Sequence, residues 1–483
     1  MDWFTVDKQG LAKILEKRGK AFAIYELIAN AWDTKAKRVD VALAPIAGKS
    51  KVVLTVSDDD PDGFANLEHA FTLFAESEKK GDATKRGRFN LGEKLVLALC
   101  DVARIKSTTG SVYFDRKGRH RQSARTEAGS EFYGHLRMTR GELADVLLAL
   151  STILPPASCQ TSINGELLPN RAPVHTFEAT LPTEIGDADG ILRRSERRTE
   201  VRVFEARPNE IPSLYELGIP VVETGDRWHV DVAQKVPLNM DRDNVPPFYL
   251  RHLRTAVVNE MHSRLTVADA NSAWVREATS NPDCSAAAIT KAIELRFTDK
   301  RVIFDMSDPE ANKLAASKEY TVIHGSMLNK AEWDNLHRAG AALPAGKVTP
   351  SPKPYSSDGE PLKLLAPEKW TAGIQRTVAH CERLARELLD TRIVVQIAAD
   401  LGLNAAATFG PSGVLVLNLS RLGHAWFDDV GSDAQHELII HEFGHHYSGD
   451  HLSSGYHEAL CTLGARAVRL ALARPDLFLR KGK

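Results

Sequence analysis

The segment HEFGHHYSGDH, residues 441 to 451, holds two histidines four positions apart with a glutamate beside the first. On a helix, His441 and His445 project from one face and can share a metal ion, and Glu442 stands where a carboxylate can take a proton from a water. The chemistry such a set performs is zinc-assisted hydrolysis, with Glu442 as general base. A catalytic zinc needs a third protein ligand. His451 lies six positions after His445 and just beyond Gly449, while Glu458 lies on the helix that follows. His451 is preferred, because a helix-ending glycine lets the chain fold back toward the metal; Glu458 is the alternative. The residue left out of the shell can orient an imidazole. His436 and His446 are expected off the metal face.

A second constellation stands some four hundred residues earlier. In YELIANAWD, residues 25 to 33, Glu26, Asn30 and Asp33 are spaced by four and three and share one helix face. LTVSDDDPDGF then reads as a strand ending in acidic residues, with Gly63 where the backbone must turn tightly. GRFNLGEK places Gly87, Asn90 and Gly92 in a loop that opens an apolar helix, with Lys94 in its first turn. Backbone N–H groups at such a helix start, together with a lysine, make a phosphate cradle.

The elements that must position these groups form an α/β and α+β multidomain chain. A helical pattern covers 9–34, strands VDVALAP and KVVLTVSD follow, and a helix is expected near 65–78. Alternating segments then continue as an α/β sandwich of mostly antiparallel strands. A second α/β unit starts near Glu184 and ends with a helix over 247–265; a mostly helical region with a small α/β unit occupies 266–343. LPAGKVTPSPKPYSSDGEP, within 344–366, is rich in Pro, Gly and Ser and reads as a linker. Residues 367–483 form a last compact set: a helix over 367–389, strands TRIVVQIAA and GVLVLNLS, and a four-turn motif helix. Ser432 with Gln435 reads as the capping box of that helix and Gly449 as its stop. GVLVLNLS is expected to be an edge strand that aligns an extended peptide.

The first 183 residues resemble the GHKL ATPases, the superfamily of gyrase B, Hsp90, histidine kinases, MutL and the microrchidia proteins. The resemblance rests on Glu26-x-x-x-Asn30, on the acidic strand end before Gly63, and on the lid glycines kept as Gly87, Asn90 and Gly92. It implies that Glu26 polarises the attacking water, Asn30 binds Mg2+ and an aspartate accepts from the adenine amino group of ATP. Counting back from Gly63 makes that residue Asp59, with Pro61 in place of the first motif glycine; counting along the strand makes it Asp58. Asp59 is preferred. The resemblance also implies a transducer-like domain over 184–265 that carries Lys235 toward the γ-phosphate, and an ATP-dependent homodimer formed through the N-terminal segments. Ser130 is a weaker candidate for the family's hydroxyl on a late strand. Residues 367–483 are similar to a minimal zincin metallopeptidase. HExxH, a His six positions on and a nearby Gly approach the metzincin pattern, but Ser448 stands where that family has its glycine and no methionine follows residue 327.

Bulk composition narrows the partners. Among 483 residues, Lys plus Arg (62) nearly balance Asp plus Glu (63), so no overall field favours nucleic acid or an anionic membrane. RRSERR, residues 193 to 198, reads as a solvated turn, and Trp and Tyr are too scattered to suggest a base-stacking platform. Five unpatterned cysteines point to a reducing compartment. With neither a signal-peptide core nor a transmembrane run, the expectation is a cytoplasmic protein. The sequence thus reads as an ATP-regulated zinc peptidase acting on a protein or peptide substrate in defence or regulation, with cofactors ATP, Mg2+ and Zn2+. The alternative is an ATP-driven clamp whose zinc domain is a binding or structural module.

Overall fold

The computed structural model describes residues 7–16, 19–64, 66–72, 81–86, 92–186, 191–238, 244–350, 362–403, 405–410, 413–449, 451 and 453–478. The chain is a mixed α/β molecule that divides into two compact units, Met1–Leu253 and Arg254–Lys483.

The first unit begins with α1 (Lys8–Glu16) and α2 (Lys20–Trp32), two helices where the apolar periodicity suggests one. Gly19, at φ 81°, makes the break. Then come β1 (Arg38–Pro45), β2 (Lys51–Asp58), α3 (Gly92–Leu99), β3 (Cys100–Ser107), β4 (Gly110–Asp115), β5 (Gly118–Gln122), β6 (Ser130–Arg137), α4 (Arg140–Leu150), β7 (Gln160–Ile163) and β8 (Glu166–Leu167). The strands form one sheet of order β5-β4-β3-β6-β2-β1-β7-β8, antiparallel except for β1 and β7. The helix expected near 65–78 is, over its described part, only a 3-10 turn at Leu67–Ala70. Strand alternation sends Val52, Leu54 and Val56 of β2, and Phe132 and Leu136 of β6, to the side of Ile24 and Ile28 of α2, and this is the core of the layer. The opposite face of the sheet carries the intervening polar and aromatic residues.

A second sheet of the same unit has the order β12-β11-β13-β10-β9, built from β9 (His175–Gly186), β10 (Leu192–Glu205), β11 (Ser213–Glu216), β12 (Ile219–Glu223) and β13 (Trp228–Val232). The expected domain boundary at 183/184 falls inside β9. RRSERR is not a turn but part of β10, where Arg194 and Arg198 pair with Glu184 and Glu178 on β9. Helix α5 (Pro247–Met261) carries the chain into the second unit.

There α6 (Val267–Asn271), α7 (Ala273–Thr279) and α8 (Ala286–Phe297) precede a small parallel sheet. Its elements are β14 (Arg301–Ile303), α9 (Pro309–Ser317), β15 (Thr321–Ile323), α10 (Lys330–Ala339), β16 (Leu343–Pro344) and α11 (Ala345–Val348). Residues 351–361 of the expected linker lie outside the described residues. The last layer comprises α12 (Ala372–Leu389), β17 (Val394–Ala398), β18 (Ala407–Phe409), β19 (Val414–Asn418), α13 (Leu419–Asp428), α14 (Asp433–Gly444) and α15 (Ser454–Ala473). Its strand order is β17-β19-β18. GVLVLNLS, expected at the edge, is therefore the central strand β19. One edge strand is β18, antiparallel to it, which the sequence reading missed because three residues carry too little periodicity to register.

In this layer His380 of α12 and His436 of α14 face each other, with Nε2 atoms 3.2 Å apart. Burial, helped by the neighbouring His436 and Arg383, pushes His380 down to about 4, so the fold favours its neutral form. Above the ordinary histidine pKa of ~6.5 both states are neutral and stability is full; as pH falls toward 4 the unfolded chain takes up a proton that the native chain refuses. The second unit is expected to lose up to ~3 kcal/mol over that window. Urea midpoints at several pH values check this: a His380→Phe variant that keeps the whole acid slope of the wild type refutes it.

Candidate functional site

Helix α14 begins at Ser432, whose Oγ accepts from the Gln435 N–H at 3.3 Å. The reciprocal half of the expected capping box is replaced. Gln435 Oε1 accepts from Gly431 N (3.1 Å), and Nε2 donates to Trp426 O (2.7 Å) and Thr377 Oγ1 (3.2 Å), which ties the helix start to α13 and α12. The helix ends at Gly444 rather than Gly449. His445 is its C-cap, and the N–H groups of His446 and Tyr447 close i→i+3 turns on Phe443 and Gly444.

Those turns bring His451 back over the helix. His451 Nε2 lies 3.1 Å from His441 Nε2, and one nitrogen from each of His441, His445 and His451 falls within 4.8 Å of the others. A tetrahedral ion with bonds of 2.0–2.1 Å places ligand nitrogens roughly 3.4 Å apart, so the His441–His451 separation is near that of two ligands of one zinc and His445 is grouped with them. His445 Nδ1 lies 3.1 Å from Ser448 O; donating there leaves Nε2 with its lone pair toward the cluster. Burial and the neighbouring His451 push His445 down to about 4 and hold it neutral, the form a metal binds. Glu458 and His457 are exposed on α15 and outside this cluster, and His446 is also exposed.

Glu442 is buried beside the histidines, and desolvation raises its carboxyl to about 7. The nearby Phe409 N–H of the edge strand holds that rise back in part. The ladder explains this. Asn418 N bonds Ala406 O and Gly410 N bonds Val414 O, so the alternate residues Ala407 and Phe409 turn their N–H and C=O groups away from β19, toward the open edge.

Tyr456, in the first turn of α15, was not visible as a site residue in the sequence. Its ring packs against His441, His445 and His451 at centroid distances of 5.7, 4.9 and 4.8 Å, and its hydroxyl donates to His441 O at 3.0 Å. Burial, with the Glu442 charge nearby, pushes the phenol up to about 12. The ring can lie this close only because position 444 lacks a side chain: a Cβ there would stand 2.8 Å from Tyr456 Cε2 and 3.0 Å from Leu460 Cδ2. Gly444→Ala is expected to destabilise the second unit by about 1–3 kcal/mol through overpacking and to weaken metal retention with it. Denaturant midpoints and metal titration of the variant measure both; wild-type values in the two would refute the packing argument.

In the first unit, Glu26 is buried and Asn30 half-buried on α2, while Asp33 is its C-cap and accepts from Arg86 N at 3.3 Å. Asp58 and Asp59 diverge. Asp59 Oδ1 accepts from Lys37 N (2.7 Å) and Arg38 N (2.9 Å), capping the approach to β1. Asp58 follows Val52, Leu54 and Val56 on the helix-facing side of β2, where its Oδ1 accepts from Asp60 N (3.0 Å) and Ser130 N (3.3 Å). Burial raises its carboxyl to about 6. Gly63 has φ 58°, and a Cβ there would stand 2.5 Å from Ser107 Oγ, so the turn requires glycine.

Gly87 and Asn90 lie outside the described residues. Gly92 opens α3 and Lys94 is buried on it. Lys235 is fully buried; its N–H donates to Ala83 O at 2.8 Å, and its charge helps hold the Asp82 carboxyl below the usual range, a shift led by the hydrogen bond from Thr84. Sequence reasoning missed Arg86, whose Nε meets the fully buried Glu216 Oε1 at 3.0 Å while Glu216 Oε2 accepts from Val236 N at 2.7 Å. Segment 81–86, which leads into the glycine-bearing loop, is thus joined to Asp33 on one side and to the second sheet at Glu216 and Lys235 on the other. Glu26 and Lys94 stand on helices that pack together.

No protein-family model matches the chain, and neither does any curated protein sequence. Among solved structures it is similar to the ATPase region of Saccharomyces cerevisiae topoisomerase II bound to ICRF-187 (dexrazoxane), at 10% identity and a TM-score of 0.31, over 50% of this chain and 84% of that one. It is also similar to a second structure of that ATPase region, at 10% identity and a TM-score of 0.31, over 53% and 70% of the two chains. Likeness at this level assigns neither a fold family nor an activity to the chain.

Proposed function

We propose that this chain is a zinc-dependent peptidase whose first unit binds Mg·ATP and regulates it. The observation that carries the reading is the convergence of His441, His445 and His451 beside a buried Glu442, on a helix that packs against an edge strand. Zinc held by the three imidazoles supplies Lewis acidity for a peptide carbonyl and a water. Glu442 takes the proton of the attacking water and returns it to the leaving amine. The outward groups of Ala407 and the Phe409 C=O on β18 pair with an extended peptide and hold its scissile bond near Glu442. Ser448 O orients His445, and Tyr456 keeps the three rings packed.

The nucleotide half rests on residue roles. Asp58, not Asp59, takes the adenine amino group, because it is the one on the helix-facing side of the strand. Glu26 is the ATPase general base, Asn30 with Asp33 serves Mg2+, and Lys94 and Lys235 face the phosphates. Homodimerisation on ATP belongs to the same reading. Metal analysis and a peptide-cleavage assay with and without a non-hydrolysable ATP analogue test it: zinc well below one per chain sinks the peptidase, and cleavage indifferent to the analogue sinks the regulation.

A further inference from the structure

One face of the eight-stranded sheet lies opposite its helix-packed core, and cross-strand register composes a row upon it. Ala42 pairs with Thr55, Thr55 with Tyr133, Tyr133 with Arg104, Arg104 with Tyr113, and Tyr113 with His120. Directly paired residues point to the same face, so two tyrosines, the arginine between them and a histidine line up across β6, β3, β4 and β5. These tyrosines lie twenty positions apart in the chain, which is why their sequence spacing shows no platform.

The row is built rather than incidental. The Arg104 guanidinium lies 5.4 Å from the Tyr133 ring centroid and bonds Glu131 at 2.7 Å, and Tyr133 OH meets His135 Nε2 at 2.8 Å. Arg104 Nε is buried and, among the described residues, has no hydrogen-bond acceptor. Both tyrosines keep part of their surface open, and His120 is exposed. Strand spacing puts Tyr133 and Tyr113 about 10 Å apart, with room for an unpaired base against each ring.

The rim supplies charge. Residues 101–125 contain seven Lys or Arg against two Asp, in a chain whose net charge is −1. Arg119 and Arg121 turn to the helix side, over Phe71 and onto Glu68. Lys106 stays beside the row on β3, and Arg116, Lys117 and Arg125 flank it as exposed cations on the β4–β5 turn and just past β5.

We infer that this face binds single-stranded nucleic acid, with bases stacked on Tyr133, Tyr113 and His120 and phosphates met by Lys106, Arg116, Lys117 and Arg125. Stacking on aromatic rings tolerates any base, and cations alongside follow the backbone. A duplex hides its base faces, so it would engage only the cations. The inference is independent of the peptidase reading.

Fluorescence anisotropy of the full chain with labelled oligo(dT) of about twenty nucleotides tests it. Binding is expected at about 50 mM salt, with a log–log salt slope of roughly −2 to −3 from four phosphate contacts. Tyr113→Ala/Tyr133→Ala should weaken it tenfold or more, whereas Tyr113→Phe/Tyr133→Phe should bind as the wild type does, separating stacking from fold damage. No binding at low salt, equal binding of a duplex of that length, or an alanine variant as tight as the wild type would each overturn the inference. So would an alanine variant whose only change is a lower oligomeric state in sedimentation, since the face would then join copies of the chain.

Discussion

Glu442→Gln is expected to lower peptide cleavage by about a hundredfold to ten-thousandfold while the purified chain keeps its zinc. The amide is nearly isosteric with the carboxylate, and Glu442 is not among the three convergent imidazoles, so the metal shell stays intact. What is lost is the capacity to accept and return a proton, since an amide is not a base at neutral pH. Removing the buried carboxylate also relieves a desolvation cost, so the variant should be at least as stable as the wild type. His451→Ala is the counterpart: it should lose the metal and the activity together. Metal analysis alongside a cleavage assay separates the two, and a glutamine variant that cleaves at the wild-type rate would show that Glu442 is not the general base. Unchanged biological activity in a variant that no longer cleaves would favour a clamp whose metal is structural.

Asp58→Asn should weaken nucleotide binding by about ten- to a hundredfold, the value of a hydrogen bond to a charged group. The same change should stabilise the first unit at neutral pH. Burial raises the Asp58 carboxyl to about 6, so the native state disfavours the ionised form. A carboxyl raised on folding contributes stability that is complete below its unfolded pKa of ~3.9 and is lost as pH rises through the folded value. The wild type should therefore weaken between pH 4 and pH 6, by about 1–2 kcal/mol after solvent screening, and the asparagine variant should lack that slope. Asp59→Asn behaves differently, because its carboxylate caps Lys37 and Arg38. It should cost some stability in β1 and leave affinity unchanged. Titration with a fluorescent ATP analogue and melting curves at several pH values distinguish the pair; an affinity loss confined to Asp59→Asn would return the adenine role to that residue.

The contrast between these aspartates shows what a chain of letters can and cannot settle. The sequence alone determined that His441 and His445 share a helix face with Glu442 beside them, and that Glu26, Asn30 and Asp33 share another, because the period of a helix is local geometry. It determined the N-cap at Ser432 and the need for glycine at position 63 for the same reason. It left His451 and Glu458 open, and Asp58 and Asp59 open. The grouping of His451 with His441 and His445 depends on i→i+3 turns beyond Gly444, and the different surroundings of Asp58 and Asp59 depend on where strand alternation ends. GVLVLNLS was expected at the edge but lies centrally as β19, because strand order is a long-range property, and β18 is too short to announce itself. Tyr456 enters the site through a contact between two helices that needs Gly444 to be bare. The row of Tyr133, Arg104, Tyr113 and His120 exists only through the register of four strands, which fixes neighbours by hydrogen bonding across the sheet rather than by spacing along the chain.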